Sequence, residues 1–288
     1  MLIKKVSNLA CPIDGEQLKL QAQQLVCNNG HTFDIARQGY VNLLPVQQKR
    51  SKEPGDSKDM VVARTQFLND GFYTPVVDKL AEIIQQQIKP TEQICLLDAG
   101  CGEGYYLDAI AHLLESVKTN NTLAFIGLDI SKPAIVAAAK RSKKITWVVG
   151  TNRQPPVCAA SVDIILCVFG FQSLDGFSYA LKPGGKVILV EPGPEHLQEL
   201  RQVIYADVKN TESPGLPVSE GSGFSLIDNS LLKFKTGEIN QQQINNLLLM
   251  TPHFYRASKN GKEAASQLQS LNLSIDMVLT VYEKTAYP

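Results

Sequence analysis

The chain has 288 residues, and none of its apolar runs is long enough to span a bilayer. Its first ten residues carry Lys4 and Lys5 but lack the apolar core of a signal peptide. Six cysteines without regular spacing exclude a disulfide framework and suit a reducing cytoplasm, with no membrane partner expected. Net charge is zero, so any affinity for a polyanion must come from a local patch. No internal repeat is visible, and the dinucleotide fingerprint G-x-G-x-x-G is missing. A hydrophobic content of 44% with 19% charged residues is that of a folded globular protein, long enough for one large domain and a smaller one.

The most informative stretch present is Leu96 to Tyr106. An apolar run from Ile94 to Leu97 reads as a buried strand, Asp98 ends it, and Gly100, Gly102 and Gly104 follow at alternate positions. Tyr105 to Leu114 then has helical spacing, so strand, glycine turn and helix open a βαβ unit. The acid before the first glycine opposes a phosphate ligand and favours a cationic amine or sulfonium. A second acid, Asp129, ends the next apolar run, where it suits ribose hydroxyls. The two elements together resemble the S-adenosylmethionine (SAM) site of class I methyltransferases. The competing readings are a ligand-free glycine turn and a nucleotide enzyme.

Regular alternation follows, with strands expected at 94–98, 124–129, 145–149, 162–168 and 186–191 and helices at 104–117 and 132–141. This implies a doubly wound α/β fold with a mainly parallel sheet. Helices at 60–68 and 75–88 are expected to cover the front of the sheet. Farther on, a helix is expected from 195 to about 210, a strand pair over 224–235, a helix over 241–250 and a last strand over 274–284.

Residues 1–45 differ in character. Two turns, at Cys11-Pro12-Ile13-Asp14-Gly15 and Cys27-Asn28-Asn29-Gly30-His31, flank a hairpin with one strand over 19–26 and a return over 31–35. So short a unit buries little apolar surface and usually needs a staple. Cys11, Cys27 and His31 offer one as zinc ligands, with Asp14 where a zinc ribbon would have a third cysteine. The alternative is a hairpin held by packing alone. Residues 37–52 contain Arg37, Lys49, Arg50, Lys52 and Tyr40 but no acid, which suits either an RNA backbone with one stacked base or a solvated linker.

These motifs together resemble the bacterial 23S rRNA (guanine-N1)-methyltransferases of the RlmA type. The likeness runs through Gly30 to Asp34, Gly39 to Gln47, Lys49 to Ser51, Pro54 to Ser57, Ala63-Arg64 and Phe67-Leu68. It continues through Gly100 to Tyr106, Gly127 to Lys132, Pro192 to Pro194, His196-Leu197 and Met250 to Pro252. It implies a class I methyltransferase with a mainly parallel seven-stranded sheet and a small zinc-ribbon-like module. The implied division is 1–45 for RNA recognition, 46–90 as a helical linker and 91–288 as the SAM-dependent domain. It also implies a homodimer, 23S rRNA as partner and methylation of a loop guanine at N1. Asp14, Glu191, Glu195 and Phe169-Gly170-Phe171 depart from the family's pattern.

Site roles follow from position. Asp98, Gly100, Gly102, Glu103, Gly104, Tyr105, Tyr106, Asp129, Thr151 and Asn152 are expected at the cofactor. Phe169 and Phe171, beyond the fourth strand, are expected in a base pocket, with Tyr40, Lys49 and Arg50 also on the RNA. His196 and Glu191 are the candidate acceptors for the guanine N1 proton. The alternatives are a small-molecule methyltransferase and a non-catalytic RNA-binding protein with a vestigial pocket.

Overall fold

The computed structural model describes residues 1–49, 51–88, 93–117, 120–207, 215–216 and 222–285, with Phe254 described for its backbone alone. The candidate RNA ligand Arg50 and most of the loop at 211–223 lie outside these residues.

The N-terminal segment supplies β1 (Leu2–Lys4), β2 (Lys19–Gln21), β3 (Gln24–Val26), β4 (Thr32–Asp34) and β5 (Tyr40–Asn42). Strands β2, β3 and β4 form a small antiparallel sheet. The single strand expected over 19–26 is in fact two, because Ala22 takes a left-handed φ of 53° and turns the chain. Strands β1 and β5 leave this ribbon and enter the large sheet, β1 beside the start of the second core strand and β5 beside residues 147–149. A boundary at residue 45 therefore falls just beyond a strand of the large sheet.

Helices α1 (Lys58–Asn69) and α2 (Thr74–Gln87) follow. Ser57 caps α1 by accepting from the Met60 amide, and Pro75 sits in the first turn of α2, where its missing N–H costs nothing. The core then runs β6 (Gln93–Ala99), α3 (Tyr105–Ser116), β7 (Thr122–Asp129), α4 (Lys132–Arg141), β8 (Thr146–Val149), β9 (Val162–Val168), α5 (Leu174–Ala180) and β10 (Leu181–Pro192). The C-terminal part holds α6 (Gln198–Ile204), β11 (Phe224–Asn240), α7 (Gln241–Met250), α8 (His253–Arg256), α9 (Lys259–Gln267) and β12 (Ser270–Lys284). β11 is one long strand rather than the pair expected at 224–235. It pairs along its length with β12, taking up irregularities at two register shifts instead of turning back.

The sheet order is β11-β12-β10-β9-β6-β7-β8-β5. β6 to β12 are the seven expected strands, and β1 and β5 extend them to nine. Among the described residues β12 alone runs against the rest of the sheet, antiparallel to both β10 and β11. Val187 to Val190 are wholly buried, as befits a strand covered on both faces. Each such side chain stabilises the fold by about 1.5–3 kcal/mol relative to exposure.

Helices α1 to α4, α6 and α7 share one apolar cluster with the front of the sheet, so α1 and α2 lie where expected. The ribbon packs on the other face with α5, through Leu9, Cys11, Leu18 and Cys27. Its backbone is tied there, the Ala10 amide donating to Pro156 and the Cys158 amide to Asn8. The chain builds outward from β6 through β7 to β8, then returns to place β9 on the other side of β6. The carboxyl ends of β6 and β9 thus form a topological switch point, where open α/β sheets bind ligands.

Candidate active site

At the end of β6 the glycine turn folds as its composition demands. Gly100, Gly102 and Gly104 have φ values of 96°, 56° and 82°, in the left-handed region that glycine alone enters without strain. The Gly100 and Cys101 amides both donate to the Leu128 carbonyl, which pins the turn to β7. Space is a second reason for glycine. A Cβ on Gly104 would stand 2.6 Å from the Trp147 ring, and one on Gly127 would stand 2.2 Å from it. The indole, fixed by its own bond to the Ser142 carbonyl, therefore lies flush against the start of α3 and the last residues of β7. Across the switch point, a Cβ on Gly170 would meet the Ala99 carbonyl at 2.7 Å.

The acids gather round this turn. Asp98 is buried to 1% exposure, and among the described residues its Oδ1 has no hydrogen-bond partner. Burial, then the charges of Asp129 and Glu103, hold its carboxyl well above the usual range. A buried carboxylate oxygen without a partner is costly unless a ligand meets it, and a cation is the ligand that does so best. The Asp129 oxygens accept from the Gly102 amide at 2.9 Å and the Ser131 amide at 2.8 Å, each keeping lone pairs for a hydroxyl. Glu103 turns away to Arg141, whose guanidinium also lies over the Tyr105 ring. Tyr105 and Tyr106 meet edge to face at the start of α3.

The residues beyond β8 and β9 close the other side. Asn152 donates to the Phe171 carbonyl at 2.8 Å and stands 3.9 Å from where a Gly100 Cβ would be, while Thr151 turns the chain by accepting from the Arg153 amide. Phe169 has a positive φ of 53° and is 44% exposed; it stacks on the His196 imidazole at 5.9 Å. Phe171 is 55% exposed beneath the Arg153 guanidinium. Backbone strain at a bulky residue is rare and gathers at functional sites. Burial, with help from His253, lowers the His196 pKa to about 4, so the imidazole is neutral at physiological pH. Its Nδ1 accepts from the Asp276 amide. The Glu191 carboxylate accepts from Gln172 at 2.8 Å and from the Gly215 amide at 3.1 Å.

Tyr40 does not join this group. It is buried beside the Trp147 strand, because β5 became part of the large sheet, and its ring is not free to stack on a base. Lys49 is half-buried beyond the short helix at 46–48, where Gln48 donates to Gln154. Sequence reasoning assigned no role to Arg64, Tyr73 or Trp147. Arg64 lies against Gly102, and Tyr73 meets His196 edge to face. The available signal was the excess of acid in the glycine turn, which calls for a cation from elsewhere in the chain.

The ribbon forms a second cluster. One donor atom from each of Cys11, Asp14, Cys27 and His31 lies within 4.8 Å of the others. His31 Nδ1 is 2.9 Å from Asp14 Oδ2, 3.4 Å from Cys27 Sγ and 3.6 Å from Cys11 Sγ, while Cys27 Sγ is 3.4 Å from Asp14 Oδ2. Such separations suit the donors of a tetrahedral zinc site, whose own bonds are about 2.0–2.3 Å. Glycines with positive φ, Gly15 and Gly30, close the two turns that present these side chains.

Residues 9–52 match a zinc-ribbon family described as the N-terminal region of RlmA, and residues 96–185 match a methyltransferase domain. The 23S rRNA (guanine(748)-N(1))-methyltransferase of Streptomyces fradiae is 35% identical over 196 residues, covering 68% of this chain and 67% of that protein. The chain belongs to the 23S rRNA (guanine-N1)-methyltransferase family. A Micromonospora griseorubida protein provisionally given that activity is 35% identical over 210 residues, 67% of this chain and 68% of its own. A Bacillus subtilis protein, also provisionally named so, is 29% identical over 279 residues, 96% of each chain. The fold is that of class I SAM-dependent methyltransferases, with the family's ribbon packed on the back of the sheet.

Proposed function

We propose that this family member transfers the methyl group of SAM to N1 of a guanine in a hairpin loop of 23S rRNA. The observation that carries the reading is the orphaned, buried Asp98 oxygen beside three left-handed glycines, on a chain that also bears the family's ribbon. The sulfonium makes the methyl electrophilic, so the demand on the protein is to place the base and remove one proton. Asp98 and the glycine turn take the methionine part, Asp129 the ribose, and Thr151 and Asn152 border the adenine.

Phe169 and Phe171 are the exposed rings that suit an unstacked base. With Nδ1 accepting, neutral His196 carries its hydrogen on Nε2 and acts as a donor that positions the base. That leaves Glu191 as the better acceptor for the N1 proton, and the Gln172 and Gly215 bonds fix its orientation. Cys11, Asp14, Cys27 and His31 would hold a zinc ion that staples residues 1–45 as an RNA-recognition module and takes no part in the chemistry. Residues 46–90 then link that module to the domain at 91–288, and Lys49 and Arg50 supply phosphate contacts. A homodimer is supported by β11, a sheet edge with Leu226 and Leu231 exposed, and an rRNA substrate puts the protein in the cytoplasm.

The test is methyl transfer from labelled SAM to unmodified 23S rRNA or its domain II fragment, followed by mass mapping of the product. A methyl group on guanine N1 is the expected result. SAM binding without transfer to RNA overturns it.

A further inference from the structure

SAM carries three charges: a sulfonium, an ammonium and a carboxylate. The acids around the glycine turn suit the first two and repel the third. Asp98, Glu103 and Asp129 act on one another there, and Asp56 acts on Asp129 from the strap before α1. That strap is held down by the Ser131 hydroxyl, which donates to the Asp56 carbonyl at 2.8 Å. A carboxylate entering this ring of acids needs a cation to meet it.

Arg64 is placed to do so. A Cβ built on Gly102 would stand 3.5 Å from Arg64 Nη1 and 3.9 Å from its Cδ. The guanidinium therefore lies across the side of the turn that the missing side chain leaves open. Nη1 pairs with Asp56, and Nη2 donates to the Met250 carbonyl at 3.1 Å. These bonds use two of its five donors and fix its plane, leaving others for a second carboxylate. The charges of Asp56, Glu103 and Asp129 all act on it. Arg141, the other guanidinium nearby, is turned to Glu103 and Asn69.

We propose that Arg64 receives the α-carboxylate of the methionine part of SAM, held ready by Asp56 on one side and the Met250 carbonyl on the other. The assignment rests on the SAM reading and adds the group that lets so acidic a site accept an amino acid. It also gives a role to two segments otherwise unexplained, the strap at 54–57 and the turn at 250–252, which the one guanidinium joins at the cofactor.

The experiment is titration calorimetry of the full chain with two ligands, SAM and decarboxylated SAM. The second keeps the sulfonium and the amine and lacks only the carboxylate. Wild type should favour SAM by about 10- to 100-fold, the range of a charge-assisted bidentate contact. In Arg64→Met the preference should vanish while affinity for decarboxylated SAM changes less than about threefold, so the analogue reports that the site is intact. Arg64→Lys keeps the charge without the planar fork and should retain part of the preference. Equal weakening of both ligands in Arg64→Met and Arg64→Lys would mean a structural role and overturn the proposal, leaving the methyltransferase reading in place. Failure of wild type to bind either ligand would sink that reading itself.

Discussion

Replacing Asp98 with asparagine separates the cost of the empty site from the gain of the filled one. In the free protein the Asp98 carboxyl is buried, one oxygen lacks a partner, and its pKa is raised by burial and two acidic neighbours. The folded state therefore holds a proton that the unfolded chain releases near the ordinary value of 3.8. The stability this lends is fully present below 3.8 and is lost as pH rises through the folded pKa. Binding has the opposite slope. A sulfonium and an ammonium favour the ionised carboxylate, so SAM must expel that proton, and its affinity should rise by up to about tenfold per pH unit below the raised pKa and level off above it. Asparagine has nothing to ionise. Asp98→Asn should be more stable than wild type at high pH, should bind SAM about 10- to 100-fold more weakly there, and should lose both slopes. Calorimetry from pH 6 to 9, with methylthioadenosine as the uncharged control, reads the binding, and urea unfolding reads the stability. A variant that binds SAM within twofold of wild type at every pH would refute the role given to this carboxylate.

Three further outcomes follow from other parts of the molecule. Gly127→Ala forces a methyl group into the Trp147 ring, 2.2 Å from its built position, and should destabilise the fold by about 3 kcal/mol in urea unfolding; a loss below about 1 kcal/mol would show the indole free to move. His196 and His253 both have pKa values lowered from 6.5 to about 4 by burial. The unfolded chain binds protons first, so stability should fall as pH drops from 6.5 towards 4, by about 2–3 kcal/mol for His196 and by less for His253, which solvent screens in part. A His196→Asn, His253→Asn double variant with the same acid profile as wild type in thermal melts would contradict this. Asp14→Cys should tighten zinc, measured by competition with a chromophoric chelator, because a third thiolate suits the ion better than a carboxylate. Equal affinity in the two proteins would mean that Asp14 is not a ligand.

What the sequence made legible was what local chemistry decides. The glycine spacing, the two acids and the strand–helix alternation fixed β6, α3, β7 and α4 to within two residues at each end. Val162 to Val168 came out with the same bounds, because a run that apolar between turn residues has no competing pattern. The ribbon's four candidate ligands stood out in two short turns, and the structure brings one donor atom of each within 4.8 Å of the others. What escaped depended on partners distant in sequence. Nothing near Tyr40 announces that its strand will pair with Trp147, 107 residues later in register, so a residue that looked free for an RNA base is core. The strand β11 read as a pair that stopped at 235; its true length is set by β12, which supplies the ladder along its course. Arg64 is the sharpest case. In its own helix it is one cation among polar residues, and only the folded chain sets it against Gly102, 38 positions away.

That division has a consequence for how the site works. On the reading proposed above, the residues legible from sequence, Asp98, Asp129 and the glycines, would make a pocket that attracts cations of many kinds. The residues that would select among them come from outside the βαβ unit: Arg64 and Asp56 from α1 and its strap, His196 between Tyr73 and the exposed Phe169, and Met250 from the end of α7. Selectivity for an amino-acid-bearing sulfonium, and then for a flat base beside it, therefore depends on the helices that cover the front of the sheet being docked. Loosening α1 from α7, as by removing the Gln66 amide that accepts from Asn246 at 3.1 Å, should weaken the discrimination between SAM and its decarboxylated form before it weakens binding of the nucleoside itself.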